Sequence, residues 1–356
     1  MGLKVAVVLG TRPEIIKMAP IIYELEKKNI DYYIIHSGQH YSYNMDKVFF
    51  EQLKLSKPKY MLEVNATNPG EQTAKIILGA ERVFLKNTPS IVLVQGDTNT
   101  VLGGTLAARK LRIKIGHVEA GLRSYDETMP EELNRKIADH CSDYLFAPTT
   151  NSKKTLLNEG ISNKKIHVTG NTIVDAVHQN IKSAEKYSIL EKLDLKSKKY
   201  FLISLHRQEN VDNPKIFKQL IAGVNLVQKK YNIPIVYPIH PRSKKMANKF
   251  GISFGNIKMI EPLNYFAFLD MEKNAKLIMT DSGGVQEEAC ILNTPCITLR
   301  ENTERPETVQ IGANMIAGTK PKNILNCIDK TILKKKKWHN PFGDGNSGKK
   351  IIKIIK

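Results

Sequence analysis

The sequence predicts an α/β protein made of two Rossmann-like, doubly wound domains that face each other across a cleft. Short apolar runs alternate with amphipathic segments from residue 5 to residue 147, and the same alternation starts again at residue 200. Apolar runs of this length are typical of buried parallel strands, and the amphipathic segments are typical of the helices that cover them. A lysine-rich stretch at residues 185–199 separates the two series, and 356 residues are enough for two hydrophobic cores.

The first series of apolar runs predicts strands at residues 5–9, 32–36, 91–95, 113–118 and 144–147. The second series predicts strands at residues 200–205, 233–239, 257–260, 277–279 and 296–299. We therefore place the first domain at 1–170 and the second at 171–339. Ligands of such sheets bind beyond the carboxyl ends of the strands, so functional residues should follow strands.

Composition excludes several classes of protein. Hydrophobic residues at 41% and charged residues at 25% resemble soluble globular proteins, and no apolar run approaches the about 20 residues that a membrane span needs. The chain begins with the strand-like run LKVAVVL and not with a signal peptide, so we expect a cytoplasmic protein without membrane contact. The four cysteines lack metal-ligand spacing, which predicts neither a disulfide framework nor a bound metal.

The net charge of +19 is spread over helix-like segments, with few aromatic residues among the basic ones. We interpret it as a lysine-rich solvated surface, which would also attract a small polyanionic substrate by long-range steering. A nucleic-acid-binding protein is therefore the least favoured class.

A charged turn follows the first predicted strand at GTRPE. Thr11 and Glu14 form a T-x-x-E capping box, and Pro13 suits the first helical turn, so this segment could be only a well-made helix start. That interpretation leaves Arg12 and Lys17 unexplained, because cations near a helix N-terminus oppose the helix dipole unless an anion lies there. We predict that an anion binds at this turn. The run does not match GxGxxG, so no dinucleotide cofactor is implied.

The segment TDSGGVQEE, at residues 280–288, predicts a phosphate site. Gly283 and Gly284 let the backbone approach a phosphate closely, and Ser282 supplies a hydroxyl donor at the start of a helix. An ordinary strand-to-helix turn with Ser282 as N-cap is the alternative, and the two adjacent glycines favour the phosphate site. Glu288 could accept hydrogen bonds from ribose hydroxyls or be a solvated helix residue, and the sequence leaves both open.

Three carboxylates in the first half follow strands or start helices: Asp97, Glu119 and Glu131. Asp97 could be only the N-cap of a helix that starts at Thr98, and Glu131 could only complement a helix dipole. Glu119 ends a buried strand, where an unpaired carboxylate is destabilising. It therefore has either a chemical role or a partner, for which Arg123 is the candidate.

Two histidines follow strands of the second half: His206, beside Arg207, and His240. Their matching positions suggest phosphate contacts or proton transfer, although a single strand-end histidine is more often a satisfied polar residue. Arg305, in the run TERPE, has no role that spacing alone assigns.

Together these segments resemble the non-hydrolysing UDP-N-acetylglucosamine 2-epimerases. The matching runs, in chain order over about residues 8–310, are GTRPEIIKMAP, GQH, QGDTNT, GHVEAGLRS, PEELNR, HRQEN, IHP, TDSGGVQEE and TERPE. The resemblance implies a glycosyltransferase-B-like fold, with a C-terminal helix at 340–356 that packs back on the first domain. It also implies a homodimer that binds UDP-N-acetylglucosamine and UDP, needs no cofactor or metal, and serves polysaccharide biosynthesis.

The resemblance divides the candidate residues into three groups. The catalytic group is Lys17, Asp97, Glu119, Glu131 and His206. The substrate-binding group is Arg12, His240, Ser282, Gly283, Gly284, Glu288 and Arg305. Gln39, His40 and Arg207 resemble the place where bacterial members hold a second UDP-N-acetylglucosamine as an activator. This chain departs from the family pattern with Glu71 at an expected arginine and Met129 at a frequent tryptophan.

Conversion of UDP-N-acetylglucosamine to UDP-N-acetylmannosamine inverts carbon 2, which needs either oxidation of a neighbouring carbon or loss of the group on carbon 1. No nicotinamide motif is visible, so the sequence favours elimination of UDP to 2-acetamidoglucal and its return. This route needs two acid/base groups beside carbon 2 and cations around the pyrophosphate. A glycosyltransferase, a hydrolysing epimerase and a non-catalytic UDP-sugar sensor are the alternatives, and three carboxylates favour chemistry over sensing.

Overall fold

The computed structural model describes residues 2–38, 43–66, 68–333 and 337–356. The chain forms two compact units, one of Met1–Ala176 with Phe342–Lys356 and one of Val177–Pro341. Each unit is a parallel sheet with helices between its strands, so the predicted α/β class with two doubly wound sheets is confirmed. Gln39 and His40 lie outside the described residues.

The strands of the first unit are β1 (Lys4–Leu9), β2 (Asp31–His36), β3 (Tyr60–Met61), β4 (Ile91–Gln95), β5 (Lys114–Val118), β6 (Tyr144–Ala147) and β7 (Ile166–Val168). Its helices in chain order are α1 (Arg12–Lys27), α2 (Tyr43–Gln52), α3 (Pro69–Lys86), α4 (Asn99–Lys110), α5 (Pro130–Cys141), α6 (Thr150–Asn158) and α7 (Thr172–Glu185), with a 3₁₀ turn at Asn163–Lys165. The sheet order is β3-β2-β1-β4-β5-β6-β7, and the strands pair in parallel.

The strands of the second unit are β8 (Phe201–Ser204), β9 (Ile235–Pro238), β10 (Lys258–Ile260), β11 (Leu277–Thr280), β12 (Cys296–Thr298) and β13 (Asn314–Ile316). The helices that follow in the chain are α8 (Ile189–Lys192), α9 (Gln208–Val211), α10 (Pro214–Tyr231), α11 (Pro241–Phe250), α12 (Tyr265–Asn274), α13 (Gly283–Ile291), α14 (Pro306–Gln310), α15 (Pro321–Leu333) and α16 (Ser347–Ile355). This sheet is also parallel, in the order β10-β9-β8-β11-β12-β13.

The central strands are apolar on both faces because helices cover both sides of each sheet. Val5–Leu9 in β1 and Phe201–Ile203 in β8 are completely buried, and each strand belongs to a hydrophobic core of its own unit. The polar residues that end these strands therefore emerge from the core at one edge of the sheet.

The order of the strands reverses between β1 and β4 in the first sheet and between β8 and β11 in the second. Ligands of open α/β sheets bind at such reversal points, beyond the carboxyl ends of the strands. The turns there hold residues 10–12 and 96–97 in the first unit and residues 205–207 and 281–284 in the second. Most candidate residues lie in or next to these turns.

Helix α16 packs against α1 within the first unit. The buried carboxylate of Asp175 accepts hydrogen bonds from the N–H groups of Ser347 (3.1 Å) and Gly348 (3.0 Å), and so caps the start of α16. A Cβ on Gly348 would lie 2.7 Å from the carbonyl oxygen of Pro20, so the close approach of the two helices requires glycine.

Candidate functional site

The side chain of Glu14 closes the turn after β1. Its Oε2 accepts hydrogen bonds from the N–H groups of Gly10 (2.6 Å) and Thr11 (2.8 Å), which confirms the predicted capping box. Its Oε1 accepts a hydrogen bond from the hydroxyl of Thr98 (2.5 Å), the N-cap of α4. Because Thr98 caps α4, the interpretation of Asp97 as that cap is wrong. Burial raises the pKa of Glu14 to about 7, although the hydrogen bond from Thr98 acts to lower it.

The two cations near this turn have different surroundings. The guanidinium of Arg12 lies 5.4 Å from the centre of the Phe49 ring and keeps part of its surface open to solvent. The ammonium of Lys17 is buried and lies 2.5 Å from Oε2 of Glu119. The structure therefore brings Lys17 and Glu119 together.

The carboxylate of Glu119 is buried directly after β5. Gln95 Nε2 and Asn171 Nδ2 each donate to its Oε2 at 3.2 Å, in addition to Lys17. Three donors around one oxygen stabilise the negatively charged form of this carboxylate. Its backbone φ of +71° is a strained value for a residue other than glycine, and such values persist only where the surroundings fix them.

Arg123 is not the partner of Glu119, and that prediction is wrong. Its guanidinium pairs with Asp139 Oδ2 at 2.7 Å and with Glu159 Oε2 at 2.6 Å. The three donors to Glu119 come instead from α1, from the last residue of β4 and from the segment after β7. Of these, Gln95 and Asn171 escaped the sequence analysis, although Gln95 is the polar end of an apolar run within QGDTNT.

Asp97 and the start of α5 are joined by Arg135. Arg135 Nη2 lies 2.5 Å from Asp97 Oδ2, and Nη1 donates to Glu132 Oε2 at 2.8 Å. Glu132 is buried and also accepts from the N–H and hydroxyl of Ser124, both at 2.9 Å. Glu131 is half-buried, and its side chain forms no hydrogen bond or ion pair with any described residue. The two adjacent acids thus differ, since Glu132 ties α5 to Ser124 and Arg135 whereas Glu131 makes no such contact with a described residue.

In the second unit, Asp281 ties the turn after β8 to the end of β11. Its completely buried carboxylate accepts from the N–H groups of His206 (3.2 Å) and Arg207 (3.1 Å) and from Asn210 Nδ2 (3.1 Å). His206 Nδ1 also lies 3.5 Å from Asp281 Oδ1. No role was predicted for Asp281 from the sequence, although a carboxylate between a buried strand and a glycine turn is itself a signal.

His206 and His240 lie side by side, with ring centres 5.6 Å apart. The side chain of His206 is 39% exposed, and His240 caps α11 by accepting from the N–H of Arg242 at 3.2 Å. The structure thus brings together the two strand-end histidines predicted from the sequence. Arg207 Nη2 lies 3.9 Å from Glu304 Oε1.

The turn after β11 is buried or half-buried, and we call it the open turn because the Ser282 side chain does not cap the helix that follows. Ser282 is the N-cap of α13, but its side chain forms no capping hydrogen bond within the described chain. A Cβ on Gly283 would lie 3.6 Å from Cζ of Arg305, and a Cβ on Gly284 would lie 3.9 Å from Oγ of Ser282, which are ordinary contact distances. Arg305 is buried, and its Nε donates to Glu287 Oε1 at 2.5 Å, so a buried cation lies next to this turn.

Glu288 is only 8% exposed, so the interpretation of this residue as a solvated helix residue is wrong. Burial, together with the nearby carboxylate of Glu288, raises the pKa of both Tyr265 and Glu272. Both shifts favour the protonated form of these groups beside Glu288.

Two doubly wound sheets, each with polar turns at its reversal point, define a glycosyltransferase-B-like protein. The family model described as UDP-N-acetylglucosamine 2-epimerase matches residues 23–356. The UDP-N-acetylglucosamine 2-epimerase of Methanococcus maripaludis is 55% identical over 99% of this chain and 98% of its own length. The chain therefore belongs to the UDP-N-acetylglucosamine 2-epimerase family, and the predicted resemblance and the isomerase class are confirmed.

Solved structures agree with this family. The UDP-GlcNAc 2-epimerase of Methanocaldococcus jannaschii, in complex with UDP-GlcNAc and UDP, has a TM-score of 0.94 and 53% identity over 99% of both chains. The enzyme of Neisseria meningitidis, bound to UDP-GlcNAc, has a TM-score of 0.92 and 34% identity over 99% of both chains.

Membrane-spanning helices and clustered metal ligands are both absent from the described ranges. No helix there is both long enough and apolar enough to cross a membrane. No group of three or more His, Cys, Asp or Glu side chains in those ranges could hold a metal ion.

Proposed function

We propose that this chain interconverts UDP-N-acetylglucosamine and UDP-N-acetylmannosamine by elimination and re-addition of UDP through 2-acetamidoglucal. The observation that carries the proposal is the buried carboxylate of Glu119, which accepts hydrogen bonds from Lys17, Gln95 and Asn171 at the sheet edge. The relatives from M. jannaschii and N. meningitidis, crystallised with UDP-GlcNAc, support the choice of substrate.

The chemistry balances without an oxidant or reductant. A base removes the hydrogen of carbon 2 while the bond between carbon 1 and the UDP oxygen breaks, and the electron pair of that bond leaves with UDP. Return of the UDP oxygen to carbon 1 accompanies delivery of a proton to the opposite face of carbon 2. Two proton-transfer groups and a binding site for the departing pyrophosphate are therefore required.

We assign the proton transfers to the first domain, at 1–170 with 340–356. Glu119, Asp97 and Glu131 are the candidates, with Lys17 holding Glu119 in place. Glu119 and Asp97 follow the neighbouring strands β5 and β4. Glu131 is a candidate because its side chain forms no hydrogen bond or ion pair with a described residue, whereas that of Glu132 binds Arg135.

We assign UDP to the second domain, at 171–339, and by the family resemblance we also propose Arg12 as a UDP contact. The open turn of Ser282, Gly283 and Gly284 would receive a phosphate on backbone N–H groups. His206 and His240 would face the pyrophosphate, with His206 also available for proton transfer as UDP leaves. Glu288 would accept from the ribose hydroxyls, and Arg305 would add positive charge behind the turn.

Three further parts of the proposal follow the family resemblance. Gln39, His40 and Arg207 would hold a second UDP-N-acetylglucosamine as an activator. The protein would work as a homodimer, and it would do so in the cytoplasm.

The decisive experiment incubates the protein with UDP-N-acetylglucosamine alone in deuterium oxide and identifies the products by NMR. We expect UDP-N-acetylmannosamine with deuterium at carbon 2, with no acceptor, metal or nicotinamide added. Product that carries only the original hydrogen would exclude elimination. Free N-acetylmannosamine with UDP would indicate a hydrolysing enzyme, and binding without any product would indicate a sensor.

Glu131 and Glu132 provide a matched pair for the acid/base assignment. Glu131→Gln should lower turnover by about 10²-fold or more if Glu131 transfers a proton, with little change in the free energy of unfolding. Glu132→Gln should lower the free energy of unfolding by about 1–3 kcal/mol, because Ser124 and Arg135 lose a charged acceptor. Full activity in Glu131→Gln would remove this residue from the mechanism.

A further inference from the structure

His117 lies in β5, completely buried, and has no part in the proposed reaction. Its Nδ1 lies 2.7 Å from Asp139 Oδ1, and its Nε2 lies 2.8 Å from the carbonyl oxygen of Gly96. A neutral imidazole has one N–H group, whereas both of these contacts require a donor on the ring. The imidazolium form is the one that satisfies both.

Asp139 is a carboxylate and not a donor in this contact. Its Oδ2 accepts from the N–H of Gly121 at 3.1 Å and pairs with Arg123 Nη1 at 2.7 Å. Arg123 in turn pairs with Glu159, which His140 also approaches at 3.5 Å. With His117 protonated, the two cations His117 and Arg123 face the two anions Asp139 and Glu159, so the charges of this largely buried group balance.

The charges around His117 support its protonated form. Burial acts to lower the pKa of His117, but the charge and hydrogen bond of Asp139 and the carbonyl of Gly96 raise it overall. The same ion pair, with Arg123, lowers the pKa of Asp139 against the opposing effect of burial.

The contacts of His117 surround the residues that the proposed reaction needs. Gly96 stands between Gln95, which donates to Glu119, and Asp97. Gly121, held by Asp139, is two residues beyond Glu119. Gly96, Glu119 and Gly121 all have positive φ, at +83°, +71° and +83°, and Glu119 is the one that pays a steric penalty for it. His117 binds the backbone at Gly96, and Asp139 binds it at Gly121. These two contacts hold the backbone on either side of the catalytic candidates, including the strained Glu119.

We propose that His117 is a charged positioning residue, whose imidazolium binds the Gly96 carbonyl and Asp139 together and thereby fixes Asp97 and Glu119. The effect on turnover rests on the proposed function, whereas the charge on the ring does not. The two parts can therefore be tested separately.

The charge is tested by NMR of the full-length protein with ¹⁵N-labelled histidine at neutral pH, with the His117 signals identified by their loss in His117→Gln. We expect both ring nitrogens of His117 to carry a proton, and we expect Asp139→Asn to convert the ring to a neutral form. A ring nitrogen of His117 without a proton in the wild-type protein would overturn the proposal, whether or not the protein is an epimerase.

The positioning role is tested by the kinetics of His117→Gln, with His140→Gln as the control on the exposed neighbouring histidine. We expect kcat of His117→Gln to fall at least about tenfold, because small displacements of acid/base groups slow proton transfer. KM should change less than about twofold in the same variant, and His140→Gln should match the wild type. If His117→Gln does not fold, Asp139→Asn takes its place. A folded variant with wild-type kcat would overturn the role, while a wild-type protein without turnover would refute only the proposed function.

Discussion

The turns after β1 and after β11 both lie where the order of their sheet reverses, yet their glycines are there for different reasons. A Cβ on Gly10 would overlap the hydroxyl oxygens of Ser37 and Thr100, which are hydrogen-bonded to each other at 2.8 Å. A Cβ on Gly283 would meet Cζ of Arg305 at 3.6 Å, an ordinary contact. Packing therefore requires glycine at position 10, whereas the fold leaves room for a methyl group at position 283.

The backbone donors of the two turns differ in the same way. Glu14 accepts the N–H groups of Gly10 and Thr11 in the first turn, and the Thr11 side chain accepts the N–H of Glu14. The N–H groups of Gly283 and Gly284 donate to no group in the described chain. Two glycines at the start of α13 need a reason other than packing, since a Cβ at either position would make only ordinary contacts. A phosphate held against the backbone supplies one.

The closed turn contains its own titrating group, which gives the largest effect that we expect. Glu14 has a pKa of about 7 in the folded protein and 4.5 as the ordinary value, so the folded state binds the proton more tightly. The resulting stabilisation is complete below pH 4.5 and is lost as the pH rises through 7, over a range of about 3 kcal/mol.

Denaturant titrations of the wild type and of Glu14→Gln, at pH values from 4 to about 8, measure the free energy of unfolding of each protein. The quantity of interest is the wild-type value minus the value of the variant. The subtraction cancels the titration of groups common to both proteins. We expect the difference to fall with rising pH in favour of the variant. Parallel curves through this window would mean that Glu14 keeps its ordinary pKa in the folded protein.

The second prediction concerns the glycine of the closed turn. Gly10→Ala should lower the free energy of unfolding by about 1–3 kcal/mol, because the new methyl group must displace Ser37 and Thr100 and break their hydrogen bond. Denaturant unfolding measures this, with Gly70→Ala as the control, since a Cβ at Gly70 meets no atom within 4 Å. Equal stability of Gly10→Ala and the wild type would erase the contrast between the two turns.

The sequence predicted the central strands of both sheets well, because strands buried on both faces are continuous apolar runs. It missed β3, β7 and β13, which are two or three residues long and partly exposed, and so lack such a run. The polar residues at strand ends were also found, since an apolar run that stops at a charged residue is visible in the sequence.

The partners of those residues were harder to predict. Glu119 pairs with Lys17, 102 positions away, which only the order of the strands brings close. Arg123 was the expected partner because it is near in sequence, but the turn after β5 directs it to Asp139. The considered N-cap of α4, Asp97, lies one residue before the actual N-cap, Thr98. Sequence alone does not separate them, because both side chains are good helix caps.

The last and smallest effect that we expect tests the open turn directly. Gly283→Ala should lower the affinity for UDP by about tenfold, or about 1.4 kcal/mol, because a methyl group at this position keeps a phosphate away from the backbone N–H groups. The same change should leave the free energy of unfolding unchanged or raise it by up to about 1 kcal/mol, since alanine favours the helix and its Cβ would make only ordinary contacts. Calorimetry with UDP and denaturant unfolding of the same preparation separate the two effects. We expect the affinity for UDP to fall while the free energy of unfolding does not. A fall in both would mean that packing requires Gly283, as it requires Gly10. Unchanged affinity in a folded Gly283→Ala would move the phosphate site away from this turn.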